Sequence, residues 1–353
     1  MRKLLSLFVV LMAVGFACTA ESSADVPSSE TAPAPESDFD MEAARKMHES
    51  GDLIGARAAY DEILQQNPGD IAALGNRAIL LESRNDIAGA LQDYDQLLRL
   101  EPDNVPALAH RAALRARTGR EKEAIEDYDA LVALRPEDPL VRNDRGSAHF
   151  NLGNNEQALA DFGAALSLAP QLTPALLNQG HVHFAEGRLA EAVFAYQKAL
   201  VREPENVEAL VAMGNYFWGA GPELDSAETY FQRAVALDPK SGAGWLGIGN
   251  VRFSREDLPG AIAAFDRGIN ADGDNLELRM NRGLAHYRSR TYAAAIADYD
   301  AVLAQSPGLG RALAMRGYAR CESGDLDRGC QDFTTARSAG VADLESAIFR
   351  YCR

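Results

Sequence analysis

TPALLNQGHVHFAEGRLAEAVFAYQKALVREPEN, residues Thr173 to Asn206, holds the plan of most of this chain. Two helical patterns run through it, Pro174 to Glu186 and Leu189 to Arg202, split by Gly187. Leu176, Gly180 and His183, then Ala192, Tyr196 and Ala199, recur at spacings of three and four, which puts each set on one helix face. Pro204 stops the second helix and starts the next unit, because proline lacks the amide hydrogen a helix interior needs. Outward from this stretch the proline returns as Pro68, Pro102, Pro136, Pro170, Pro239 and Pro307, with Gly273 standing in one slot. The period is 34 residues, with a single gap of 35 before Pro239. A fixed period of this size predicts a solenoid. Each unit is too small to bury its own apolar face, so the units must stack, and the product is a long surface rather than a pocket.

The unit resembles a tetratricopeptide repeat (TPR). That pattern has a large residue at position 4, a small one at 8, small, aromatic and small residues at 20, 24 and 27, and proline at 32. Leu176, Gly180, Ala192, Tyr196, Ala199 and Pro204 fill those slots. Units begin at Ser37, Ile71, Val105, Pro139, Thr173, Val207, Gly242, Leu276 and Gly310. The resemblance implies an all-α, right-handed solenoid of about nine helix hairpins over residues 37–343, with a C-terminal capping helix over 344–353. The sixth unit carries one extra residue around Gly221-Pro222, and the ninth lacks its proline.

The copies check one another. Position 7 is arginine in five units (Arg77, Arg111, Arg145, Arg282, Arg316), and in those same five position 23 is aspartate (Asp93, Asp127, Asp161, Asp298, Asp332). The other four units lack both. Joint presence and absence predicts a contact, an Arg–Asp fork between the two helices of a repeat, since a guanidinium matches a carboxylate bidentately.

The chain's start reads as an export signal. Residues 1–17 have a basic beginning (Arg2, Lys3) and an apolar run from Leu4 to Phe16, too short to span a bilayer and of the length of a signal-peptide core. Gly15-Phe16-Ala17-Cys18 resembles the lipobox of bacterial lipoproteins, which implies lipidation at Cys18; Gly15 and Phe16 depart from that pattern, and ordinary cleavage after Ala20 is the rival. Residues 18–36 form a Ser/Ala/Pro/Glu-rich linker that cannot bury enough surface to fold and would hold the repeats about 25 Å from an anchor. An outer-membrane lipoprotein facing the periplasm is the expected location, with a soluble periplasmic or secreted protein as the alternative.

Lysine and arginine total 35 against 51 aspartates and glutamates, a net charge of −16, which argues against nucleic acid and anionic lipid as partners. Cys330 stands at position 21, where other units carry Leu91, Ile125 or Val193, so its slot should face the next helix, the C-terminal cap; a Cys330–Cys352 disulfide would pin that cap. Terminal repeats of some bacterial TPR proteins look similar. Cys321 is then unpaired, or competes for Cys352.

The family assigns positions 2, 5, 9, 12 and 13 to the concave side. Position 12 reads Phe150, Phe184, Trp218, Phe253 and Tyr287 in five consecutive units, an aromatic stripe suited to a partner's surface, or to packing between neighbouring units. Units one to three have His48, Glu82 and Ala116 there. Asn178, with Asn76 and Asn281, lies at position 6, and Asn215 and Asn250 at position 9, where an amide serves either a bound backbone or helix packing. A lysine clamp for a C-terminal carboxylate is not expected: position 5 has no lysine and position 2 offers only Arg311. His149, His183 and His286 share position 11 and read as packing residues. No catalytic motif, metal set or cofactor site is found. The reading is a non-enzymatic scaffold of the bacterial cell envelope that binds an extended or helical segment of an unidentified protein. An assembly factor of a pilus or secretion machine, or a groove receptor for a glycan or small ligand, are the alternatives. Oligomeric state is left open.

Overall fold

The structure, a computed structural model, describes residues 41–220 and 223–352. The signal segment, Cys18, the linker and the Gly221-Pro222 insertion lie outside the described residues. Among the described residues there are nineteen helices and no strand. In order they are α1 (Met41–Glu49) and α2 (Leu53–Gln66), α3 (Ile71–Ser83) and α4 (Ile87–Leu100), α5 (Val105–Arg117) and α6 (Glu121–Leu134), α7 (Pro139–Asn151) and α8 (Asn155–Leu168), α9 (Thr173–Ala185) and α10 (Leu189–Arg202), α11 (Val207–Ala220) and α12 (Leu224–Leu237), α13 (Gly242–Ser254) and α14 (Leu258–Ala271), α15 (Leu276–Arg288) and α16 (Tyr292–Gln305), α17 (Gly310–Glu322) and α18 (Leu326–Ser338), and last α19 (Glu345–Tyr351). The fold is all-α, a series of helix hairpins that follow one another along the chain. It divides into two compact units, one ending at Val182 and one beginning at His183.

Local chemistry sets the helix limits. Asp70, Asn104, Asn275 and Ser241 each accept a hydrogen bond from an amide in the first turn of the helix that follows, which satisfies a donor the helix cannot pair itself. Between the helices of a repeat, position 15 has positive φ: glycine at Gly51, Gly119, Gly153, Gly187 and Gly324, but Asn85, Glu256 and Arg290 elsewhere. Glycine enters that left-handed region freely, and a side chain enters it at some cost.

The ring at position 24 builds the core. Tyr60, Tyr94, Tyr128 and Phe162 in the first unit, and Tyr196, Phe231, Phe265, Tyr299 and Phe333 in the second, are all buried. Phe162, Phe231, Phe265, Tyr299 and Phe333 each face a glycine. A Cβ on Gly146 would stand 2.7 Å from Phe162, and one on Gly249 only 2.2 Å from Phe265. Phe231 also reaches Gly247 of the following repeat, where a Cβ would meet it at 2.3 Å. One ring therefore closes its own hairpin and the junction to the next. Burial of such a ring contributes about 1.5–3 kcal/mol.

The five arginines at position 7 do more than bridge their own hairpin. Arg77 donates from Nε (2.8 Å) and Nη2 (2.6 Å) to Asp93, and from Nη1 (2.7 Å) to Asp61 of the preceding repeat. Arg111 joins Asp127 and Asp95, Arg145 joins Asp161 and Asp129, Arg282 joins Asp298 and Asp266, and Arg316 joins Asp332 and Asp300 in the same way. The second aspartate always stands at position 25 of the unit before. Each arginine is thus a clamp across a repeat junction. The position-23 aspartates are buried, while their position-25 counterparts are open to solvent. The hydrogen bonds they donate to the aspartates hold the Arg77, Arg145, Arg282 and Arg316 guanidinium groups above their ordinary pKa. Arg115 and Arg320 add a second guanidinium to Asp127 and Asp332.

The C-terminal end is covered by α19. Cys330 and Cys352 form a disulfide, and Cys321 is free and buried. Leu344 and Ala347 are buried, and the Tyr351 ring lies against Tyr318 and Phe333 while its hydroxyl donates to Glu322. A link that closes a loop of 22 residues restricts the unfolded chain by about 3 kcal/mol. Burial pushes the Cys321 thiol above its ordinary pKa, which keeps it in the unreactive form.

Candidate binding face

The position-12 aromatics come from the last turn of successive first helices. Phe150 lies in the first unit, and Phe184, Trp218, Phe253 and Tyr287 lie in the second. Each is half-buried. In Trp218, Phe253 and Tyr287 the packed half has a definite neighbour. Trp218 Nε1 donates to Ser254 Oγ at 3.2 Å, and the Arg288 guanidinium sits 5.7 Å from the centre of the Phe253 ring. Ser254 and Arg288 both occupy position 13 of the next repeat. Tyr287 packs with Tyr292 at 5.8 Å. Trp218 and Phe253 are thus shared: part of each ring joins the next repeat and the rest faces solvent.

The asparagines separate into two groups. Asn178 is buried, and its Nδ2 donates to Asn143 Oδ1 (3.0 Å) and Ser147 Oγ (3.1 Å), so its amide is used between α7 and α9. Asn250 Oδ1 accepts from Asn281 Nδ2 at 3.0 Å, which leaves its own NH2 group for another acceptor. Asn215 is half-buried, and its side chain makes no hydrogen bond among the described residues. In the second unit, then, Asn215 and Asn250 lie one turn before Trp218 and Phe253 with hydrogen-bonding capacity to spare.

The first unit presents a different chemistry at the same slots. His48 meets Tyr60 edge-on, and Glu82 takes the Tyr94 hydroxyl (3.5 Å), His110 Nδ1 (3.2 Å) and Arg117 (3.8 Å). Glu82 is satisfied internally rather than left for a ligand. At position 6 of the fourth repeat, where an asparagine stands in other units, Asp144 accepts from Asn143 Nδ2 at 3.2 Å. Sequence reading passed over this residue because it breaks the asparagine series. Burial pushes its carboxyl from 3.8 up to about 6, with Asp138 adding to the rise and the Asn143 bond opposing it. An acid held more tightly by the folded state adds stability below the unfolded pKa, and loses it as pH rises through the folded one. Stability of the first unit should therefore fall between about pH 4 and 6. Asp144→Asn should flatten that slope and raise stability at pH 7 by roughly 1–3 kcal/mol, read from urea midpoints at pH 4.5 and 7.

The position-11 histidines do not converge. His149 and His183 are half-buried with Nδ1 unpartnered, and burial lowers the His183 pKa. His286 Nδ1 lies 3.0 Å from Thr291 Oγ1. Among the described residues no group of three or more His, Cys, Asp or Glu side chains is placed to hold a metal ion, and no helix is long and apolar enough to cross a membrane.

Comparison with known proteins agrees with this architecture. A tetratricopeptide repeat model matches residues 49–104, 76–139, 143–206, 177–242, 211–275, 246–310 and 280–342. RNA polymerase II-associated protein 3 of Xenopus tropicalis is 32% identical over 98 residues, 28% of this chain but only 15% of that protein. The APC/C hetero-tetramer Cut9–Hcn1 superposes with a TM-score of 0.60 at 18% identity, over 83% of this chain and 58% of that chain. A tetratricopeptide repeat protein from Parabacteroides merdae gives 0.52 at 22% identity, over 70% and 96%. At these identities the structural likeness is one of fold alone.

Proposed function

The chain belongs to the tetratricopeptide repeat family, and from that premise we propose that it is a bacterial envelope lipoprotein holding a partner segment on its first-helix face. Stacked repeats of this kind present extended surfaces to other proteins, so the chain is a protein–protein interaction scaffold. The observation that carries the finer reading is the half-open row Phe184, Trp218, Phe253 and Tyr287, with Asn215 and Asn250 beside it. Rigid rings supply contact area at low entropic cost, and the amides suit a backbone or polar side chain between them. An extended or helical segment of a partner protein fits such a series, which reads residues at regular intervals.

The envelope location rests on the sequence: a basic start, a short apolar core, Cys18 after Ala17, and a linker that leads into the repeats. Labelling with a fatty-acid probe should mark the wild-type chain and not Cys18→Ala, and the variant should leave the membrane fraction. Equal labelling of both would remove the anchor from this account.

Replacing Phe184 and Trp218 together with alanine should lower partner recovery from the native envelope by about a hundredfold, as expected for two central aromatic contacts. Helicity should be unchanged. Because each ring is half-packed, a stability loss of roughly 1–2 kcal/mol should accompany the double change. Full partner recovery with the double variant would refute the site, and a loss of helicity would make the two rings core residues instead.

A further inference from the structure

The outer face of α10 departs from the repeat pattern in a way that stacking does not require. Position 22 holds Phe194 and position 29 holds Val201, where other repeats carry Gln92, Glu126 and Ala263, or Arg99, Ser167 and Asn270. Phe194 is 60% exposed and Val201 84%. With Lys198 they form one stripe at helical spacing, and Lys198 Nζ lies 4.3 Å from the centre of the Phe194 ring. Exposed Glu191 and Arg202 flank the stripe, and neither makes an ion pair among the described residues.

This stripe is complementary to itself. Turned end for end about an axis level with residue 196, a second α10 sets Arg202 opposite Glu191, Lys198 opposite Phe194, and Val201 beside Ala190, with Gln197 next to the axis. Carboxylate meets guanidinium at both ends and ammonium meets ring face twice at the centre, the pattern of an isologous two-fold contact. We propose that this face of α10 is where two copies of the chain meet, in antiparallel register. Charge complementarity selects a second copy over an unrelated partner: the acidic end, aromatic–lysine centre and basic end are arranged in mirrored order on a single helix. One helix crossing lies at the small end of specific interfaces, so the pairing is reversible and depends on concentration. The net charge of −16 opposes it at long range, and salt screens that repulsion while leaving the apolar contact intact. This contact is independent of the first-helix face.

The test is cysteine crosslinking of the full chain in its native host. Gln197→Cys should give a disulfide-linked dimer on mild oxidation, and Thr229→Cys, an exposed site on α12, should not. Adding Phe194→Glu should lower the crosslinked yield by about tenfold or more without changing helicity. Glu191→Arg should do the same by setting arginine against arginine, and Glu191→Arg with Arg202→Glu should restore the dimer. No crosslink at 197, equal crosslinking at 229, a crosslink to a different polypeptide only, or a yield indifferent to the charge exchange would each overturn the proposal.

Discussion

Arg282→Ala should destabilise the C-terminal unit by about 3–5 kcal/mol, because it leaves the buried Asp298 carboxylate without its two guanidinium hydrogen bonds. The loss should appear as a lower urea midpoint and as faster amide exchange in α15 and α16. Asp266→Ala removes only the solvent-exposed arm of the same clamp, and should cost less than about 1 kcal/mol. The chain itself supplies the rescue. In the seventh repeat the two clamp positions are Ile248 and Ala264, both 2% exposed, and that hairpin packs without an ion pair there. Arg282→Ile with Asp298→Ala should therefore recover most of what Arg282→Ala loses, since an apolar pair of fitting size replaces a buried ion pair at little net cost. If the double variant is as unstable as the single one, the clamp acts through something other than charge pairing.

Phe265→Ala should cost about 3–5 kcal/mol, the range for removing a fully buried aromatic ring whose surroundings cannot collapse onto the gap. Gly249→Val should cost about 1–3 kcal/mol by overpacking, because its Cβ would enter the same ring at 2.2 Å. The pair should be strongly non-additive. With the ring gone, the valine grows into the vacated space, and the double variant should be more stable than Phe265→Ala alone. Additive losses, measured by thermal or urea unfolding, would mean that the two positions do not share one packing space.

The sequence shows much of this because the repeats act as internal controls. Leu189–Arg202 emerges as a helix with the same limits in both readings, since the apolar spacing and Pro204 mark both its ends. The pairing of positions 7 and 23 was legible because presence and absence coincide across units. The same test applied one unit back would have found position 25: aspartate stands there only in the five units that precede an arginine (Asp61, Asp95, Asp129, Asp266, Asp300). A search within a single repeat cannot see a contact between repeats. Position 12 was legible as a row of aromatics, but not the second contact that Trp218 and Phe253 make, which depends on what position 13 of the next unit places against them. Asp144 escaped notice for the opposite reason: it occurs once, so no periodicity announces it, and its raised pKa comes from burial that only the packed structure sets.

The claim on which the functional account turns is that the first-helix face of the C-terminal unit receives a partner segment. A photo-crosslinking residue placed at Asn250, and separately at Thr229 on the outer face, tests it in the native envelope. The account predicts adducts from position 250 that map to one contiguous segment of a second protein and vanish when Phe184 and Trp218 are alanine. Adducts from position 229 only, or from position 250 that persist in the alanine variant, would contradict it.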